Sequence, residues 1–299
     1  LLSGNYLAKI NEVRKNKLAI ASIIFFCIHL LGLLWTDNIS WGIEISRKML
    51  PFFLVLPIFL TIVRRENIKY YVFAFLFAMA ISETLSYLIW FGVIEPFKYA
   101  TIDNPTPLQS HISYNPFLAF AIYLVLNHLF SDNQISQKMR IFYTFFLLTM
   151  TFNMFITGGR AGQVMFFVAI ILFAFQSFRN SQLKAMFVSI ISLVIIVSVA
   201  YNTSPLFNKR MNTTYSKIVN YNELGHQHSG LGVRVEHFRN SFELFKKSPI
   251  IGIGTGDYPD EYEKVNQIRT PEIANTVQPH NMYILVLSQL GLVGFLSFL

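Results

Sequence analysis

Residues 279–295 read P-H-N-M-Y-I-L-V-L-S-Q-L-G-L-V-G-F. From Met282 onward the run carries no charge, the composition of a helix immersed in hydrocarbon rather than of one lying half in water. A histidine and an asparagine stand at its mouth behind Pro279, and glycines occupy positions 291 and 294. On a straight helix turning about 100° per residue, Gly291 falls about 20° to one side of the direction of His280 and Gly294 about 40° to the other. The predicted stripe has an ionisable group at its mouth and two positions without side chains further in. There a neighbouring helix or a lipid chain can approach the backbone. Taken alone, the stretch reads equally well as an ordinary membrane helix that begins with His.

Seven further apolar blocks lie upstream, at about 17–35, 49–63, 70–94, 114–131, 141–157, 161–178 and 186–202, each long enough to enter or cross the bilayer core. Of the 299 residues, 53% are hydrophobic and 13% charged, against about 25% charged in a soluble domain. The fold class is therefore an all-α polytopic integral membrane protein, with about eight transmembrane helices and one long segment outside the membrane. The second block is short, and its helix is expected to begin near Trp41, with Arg47 and Lys48 reaching outward. The single cysteine, Cys27, lies inside an apolar block and leaves no disulfide framework. A start at Leu1 and a stop at Leu299 inside an apolar run predict further spans beyond both ends, and the first span serves as its own insertion signal.

Charge sets the orientation. One set of connections holds eleven Lys and Arg residues, from Lys9 to Lys184, while the short connections on the other side hold Arg47, Lys48, Lys98 and Arg160. The basic set faces the cytoplasm. That places 36–48, 95–113, the turn at 158–160 and the long segment 203–279 outside. The domain reading is 1–202 for seven spans with short loops, 203–279 for the long outer segment with its amphipathic helix, and 280–299 for the helix carrying His-Asn. A net charge of +8 suits membrane lipids with anionic heads and anionic lipid-linked substrates. Nucleic acid is excluded as a partner, because the basic residues lie between spans.

Within the outer segment, 233–247 predicts an amphipathic helix: Val235, Phe238, Phe242 and Phe245 recur at spacings of three and four. Lys246 and Lys247 close it, and Ser248-Pro249 stops it. Arg234 falls in its first turn, where free N–H groups favour an anion. Thr157-Gly158-Gly159-Arg160-Ala161-Gly162 joins two spans. Gly158 and Gly162 read as a small-residue packing pair, yet packing leaves unexplained an arginine at the bilayer edge, whose fork suits phosphate oxygens. Gly252, Gly254 and Gly256 lack the strand–helix context of a dinucleotide site and read instead as a flexible loop able to pass under a substrate. His226 and His228 lack a third ligand, and Asp257, Asp260, Glu261 and Glu263 read as a solvated face, so no metal and no cofactor are expected. His29 and Glu83, near the middle of their spans, read as structural hydrogen-bonding groups. His111 is a secondary candidate for lining the site. Arg160, Arg234 and His280 all fall at the outer membrane boundary, where two cations would hold a diphosphate and a histidine would deprotonate a hydroxyl.

These residues resemble the O-antigen ligase/polymerase superfamily of bacterial envelopes. The ligase signature is matched by His280-Asn281, nine residues, then Gly291-Leu-Val-Gly294-Phe295; the family's arginine turn by Gly159-Arg160-Ala161; and its outer helix and following loop by Arg234 to Phe238 and Pro249 to Gly254. The stretch Leu30 to Phe59, with L-L-W-T-D, is similar to the family's early spans. The resemblance implies a metal-independent, inverting glycosyltransferase of the bacterial inner membrane with its active site facing the periplasm. It would move O-antigen glycan from undecaprenyl diphosphate onto lipid A–core. It implies that Arg160 and Arg234 grip the diphosphate and that His280 is the base. Asn281, Gly291, Gly294 and Arg239 support, Arg239 lying about 140° around its helix from Arg234. A polymerase of the same superfamily and a protein O-oligosaccharyltransferase are the near alternatives. A transporter is the alternative of another class, disfavoured because no internal repeat and no charged midplane cluster is visible.

Overall fold

A computed structural model describes residues 4–131, 134–219 and 230–299. Every regular element in them is helical. Among the described residues seven helical segments are long and apolar enough to cross a membrane: Lys17–Trp35, Ile39–Ile62, Arg65–Trp90, His111–Ser131, Gln137–Ile156, Arg160–Ser177 and Gln182–Thr203. The eighth expected span, Met282–Phe298, is shorter, at 17 residues. The second begins at Ile39, capped by the Asn38 side chain, which accepts from the Trp41 amide at 3.1 Å. It breaks at Leu54 between two prolines, Pro51 and Pro57, neither of which can donate to the helical ladder.

The chain divides into two compact units, Leu1–Arg65 with Val219–Leu299, and Glu66–Ile218. The first holds α1 (Tyr6–Lys15), α2 (Lys17–Leu31), α3 (Ile39–Phe53) and α4 (Val55–Ile62). The second holds α5 (Ile68–Trp90), α6 (His111–Ser131), α7 (Gln137–Ile156), α8 (Arg160–Ser177), α9 (Gln182–Thr203) and nearly all of α10 (Pro205–Val219). The chain then returns to the first unit with α11 (Gly230–Lys247), α12 (Tyr258–Arg269) and α13 (Met282–Phe298).

In the second unit α6 is central. Leu118, Ile122 and Val125 from α6 pack with Met150 and Met154 from α7 and Phe166 from α8, all buried. Gly162 lets α8 approach α6 closely, since a Cβ there would strike Asn115 of α6. Of the small-residue pair at 158 and 162, only Gly162 packs against α6; Gly158 faces Asn104 and Arg210 of α10. In the first unit, α13 lies against both α2 and α11, while Leu244 of α11 is buried with Tyr258, Tyr262 and Val265 of α12. The Phe25 ring on α2 touches His29, Phe52 and Phe298.

Candidate functional site

The site is built on a break in α13. Gly291 sits at φ 61°, ψ −159°, a conformation reserved for glycine, so the run from Met282 is two helices rather than one. The Tyr283 ring lies 6.3 Å from that of Phe295 and 5.7 Å from that of Phe298. On a straight helix fifteen residues span about 22 Å, so the two halves fold back toward each other. This corrects the single stripe predicted for His280, Gly291 and Gly294: His280 is outside the helix, at φ 55°, and the break separates it from both glycines.

The loop P-I-I-G-I-G fills that break. Ile253 and Gly254 donate to the carbonyls of Ser288 and Gln289, each at 3.0 Å, while Leu292 and Val293 donate to Pro249 and Ile250 at 2.9 and 3.1 Å. The backbone groups freed at Gly291 are thereby satisfied by the loop. Gly252, at φ 74°, passes so close to the Gln289 carbonyl that no Cβ fits between them. Thr255 ties the loop to α2, its hydroxyl donating to the His29 carbonyl at 2.7 Å, and the Gln289 amide donates to Thr255 at 2.9 Å. The loop is therefore a fixed wedge and not the open, flexible strip expected beneath a substrate. The approach afforded by Gly291 is taken by the protein's own backbone.

At the other end of the first half, Asn281 caps α13, its side chain accepting from the amides of Tyr283 and Ile284 at 3.0 and 3.3 Å. His280 precedes the cap and is exposed. Among the described residues no hydrogen bond holds its ring, and its nearest ring neighbour is His237 of α11, 6.2 Å away between centroids.

His237 escapes the sequence reading because it hides between Arg234 and Arg239 on a helix marked by phenylalanines. Those phenylalanines are not the packed face: Val235, Phe238 and Phe242 are exposed, while His237, Asn240, Ser241 and Leu244 are buried. The polar members of that face are satisfied. His237 Nδ1 is 2.6 Å from the Tyr262 hydroxyl, the Asn240 amide donates to Thr270 Oγ1 at 2.8 Å, and Ser241 Oγ shares a 2.7 Å hydrogen bond with Tyr258. Ser288 of α13 donates to the Ser241 carbonyl at 2.8 Å, joining the two helices. Burial, and secondarily His280, lower the His237 pKa, so the unfolded chain binds the extra proton below its ordinary value of about 6.5. Stability should fall as pH drops from about 6.5 toward the depressed folded value and then level off. Thermal melts of wild type and H237Q between pH 7.5 and 5 check this; the variant should show a shallower slope.

Arg234 lies one turn before His237 on α11 and is exposed, with no partner among the described residues. Arg239 instead meets Glu236 at 2.7 Å, so its charge is already engaged.

The second unit holds the arginine turn. The Gly158 amide donates to Asn104 Oδ1 at 2.7 Å, and Asn104 Nδ2 lies 2.9 Å from His111 Nδ1. His111 therefore braces the turn. Arg210 of α10 donates through Nη1 to the Gly158 carbonyl. Burial, and secondarily the charge of Arg160, push the Arg210 pKa down. Two guanidiniums thus stand at one turn, with the exposed Arg160 opening α8, where free backbone N–H groups add to the positive potential. Arg210 gives no sequence signal, since it sits among the polar residues of α10 with no motif around it.

The acidic run and His29 are held by structural contacts, whereas Glu83 Oε1 is buried without a hydrogen-bond partner among the described residues. Asp257 accepts from the amides of Asp37 and Asn38 at 3.0 and 2.8 Å, Asp260 accepts from the Asn38 side chain, and Glu261 pairs with Lys247 and Lys264. His29 is buried, with Nδ1 2.9 Å from the Phe25 carbonyl, and Glu83 is buried in α5. No group of three His, Cys, Asp or Glu able to hold a metal occurs among the described residues. His226 and His228 lie outside the described residues.

Residues 145–299 match the family described as O-antigen ligase, just over half of the chain, including Arg160, Arg234 and His280. A Haemophilus influenzae protein described only as uncharacterized is 30% identical over 207 residues, covering 65% of this chain and 50% of that protein. The chain thus spans about half the length of that relative.

Proposed function

This chain belongs to the O-antigen ligase family, and from that premise we propose that it transfers a lipid-linked glycan by metal-independent, inverting glycosyl transfer. The donor is O-antigen glycan on undecaprenyl diphosphate, the acceptor a sugar hydroxyl of lipid A–core, and the reaction runs at the periplasmic face of the inner membrane. His280 takes the proton of the acceptor hydroxyl as that oxygen attacks the anomeric carbon. Arg160 and Arg234 hold the departing diphosphate and stabilise its growing charge, and Arg210 supplies a third guanidinium beside Arg160. Asn281 holds the start of α13 next to the base. The wedge at Gly291 holds the far end of the same half-helix, and Arg239 is engaged by Glu236.

The observation that carries this reading is the setting of His280. It is an exposed imidazole in a strained backbone conformation, placed beside a buried histidine one helical turn from an arginine that has no partner among the described residues. An exposed ring without a hydrogen-bonding duty of its own is available to a substrate. The test is transfer in vitro with purified lipid-linked glycan and lipid A–core; no product with the intact chain overturns the assignment. The polymerase reading differs only in the acceptor, and a deletion strain separates the two. Unsubstituted core with accumulating polymer marks the ligase, whereas core capped with a single repeat marks the polymerase.

Arg160→Lys and Arg234→Lys should each lower kcat/KM by about 10²-fold or more, the scale of one lost oxyanion contact, because an ammonium cannot present a planar fork to phosphate oxygens. Donor-titration kinetics check this. Activity within about twofold of wild type for either variant would remove that arginine from the diphosphate site.

A further inference from the structure

We propose that His237 is a second histidine of the reaction centre, holding the acceptor hydroxyl in place while His280 removes its proton; this rests on the assignment of His280 as the base. Three observations carry it. His237 is 5% exposed and lies one turn from Arg234 and one turn from Ser241, whose carbonyl accepts from Ser288 in the first half of α13. Its Nδ1 is taken by the Tyr262 hydroxyl at 2.6 Å, and Tyr262 is fully buried. Its ring centroid is 6.2 Å from that of His280, with the planes inclined at 44°. That separation is too wide for a direct N–H···N bond of about 3 Å between nitrogens, and we place the acceptor oxygen between the rings.

We take the Tyr262 hydroxyl, 2.6 Å from His237 Nδ1, as the donor in that pair. The ring hydrogen of His237 then sits on Nε2. A neutral Nε2–H can donate to a lone pair of the acceptor oxygen and leave that oxygen's hydrogen for His280. A neutral partner also adds no charge beside the imidazolium that His280 becomes. In the transfer step the acceptor O–H bond breaks and its proton goes to His280. The new O–C bond forms at the anomeric carbon, and the old C–O bond breaks with its electron pair leaving on the diphosphate. His237 neither gains nor loses a proton. Its burial and its tie to Tyr262 give it the fixed position that the exposed His280 lacks.

The experiment uses the full chain in the in vitro transfer reaction, with donor and acceptor titrated separately and melting temperature measured alongside. H237A is expected to lose on the order of 10²-fold in kcat/KM for the acceptor, the scale of a misplaced reacting group, while the donor KM stays within about twofold. Y262F should show the same acceptor-limited pattern at about tenfold, the scale of one neutral hydrogen bond. The double variant H237F/Y262F replaces both partners by apolar rings of similar shape. It is expected to melt near the wild-type temperature and still to show the acceptor defect. Wild-type acceptor kinetics in that double variant, or equal losses in the donor and acceptor parameters of H237A, would overturn the proposal. H280A in the same assay separates the two readings: transfer by H280A removes the base, whereas an inactive H280A beside an unimpaired H237A removes only the role of His237.

Discussion

An H280A variant is expected to insert and fold normally and to transfer no measurable glycan. The two halves of that expectation have separate physical grounds. The His280 side chain is exposed and makes no hydrogen bond among the described residues, so removing it uncovers no buried group. Its φ of 55° costs an alanine about what it costs a histidine, because both carry a Cβ. Surface changes of this kind stay within about 0.5 kcal/mol. The chemical loss is of another size, since a positioned base contributes roughly 10²–10⁴-fold. Melting temperature and transfer rate measured on the same preparation check both halves. A folded H280A that ligates at the wild-type rate would leave the reaction without its base.

Gly291→Ala is expected to damage the protein from the backbone outward. The position combines φ 61° with ψ −159°, where a side chain costs about 1–3 kcal/mol in strain alone. An added Cβ would also strike the Ile250 carbonyl and lie 2.7 Å from the Gly252 amide nitrogen. Those atoms are main chain and cannot swing aside, so the wedge of 249–254 must withdraw, and the hydrogen bonds from Ile253, Gly254, Leu292 and Val293 go with it. Gly92→Ala is the control. Its φ is also positive, at 71°, but nothing lies within 4 Å of the added carbon, so only the roughly 1–2 kcal/mol of backbone strain applies. A Gly291→Ala protein as stable as the Gly92→Ala control would mean that the wedge does not hold α13 in its folded-back form.

Much of the architecture was legible because hydropathy is additive along the chain. Seven spans follow from runs of apolar residues, and the helix of 233–247 from its three- and four-residue spacing. The arginine turn and the His-Asn pair stood out because a charged or ionisable group at the end of an apolar run is costly and so invites a reason. Periodicity misled at α11: it locates an apolar stripe but not its neighbour, and in a membrane protein the stripe need not face the core. Val235, Phe238 and Phe242 are exposed, and the face that packs carries His237, Asn240 and Ser241. Their polarity is matched by Tyr262, Thr270 and Tyr258, which the periodicity of α11 alone cannot bring to mind.

The amino-acid order by itself determined the membrane class, the helices and the three groups from which a diphosphate-handling site is proposed, because each of these is a property of a residue and its near neighbours in the chain. Only the tertiary structure decided that α13 breaks and folds back, that the glycines of 249–254 seal that break, and that His237 and Arg210 stand beside His280 and Arg160. Those outcomes rest on pairings such as Gln289 with Thr255, 34 positions apart. A backbone hydrogen bond between distant segments leaves no pattern in either segment read alone.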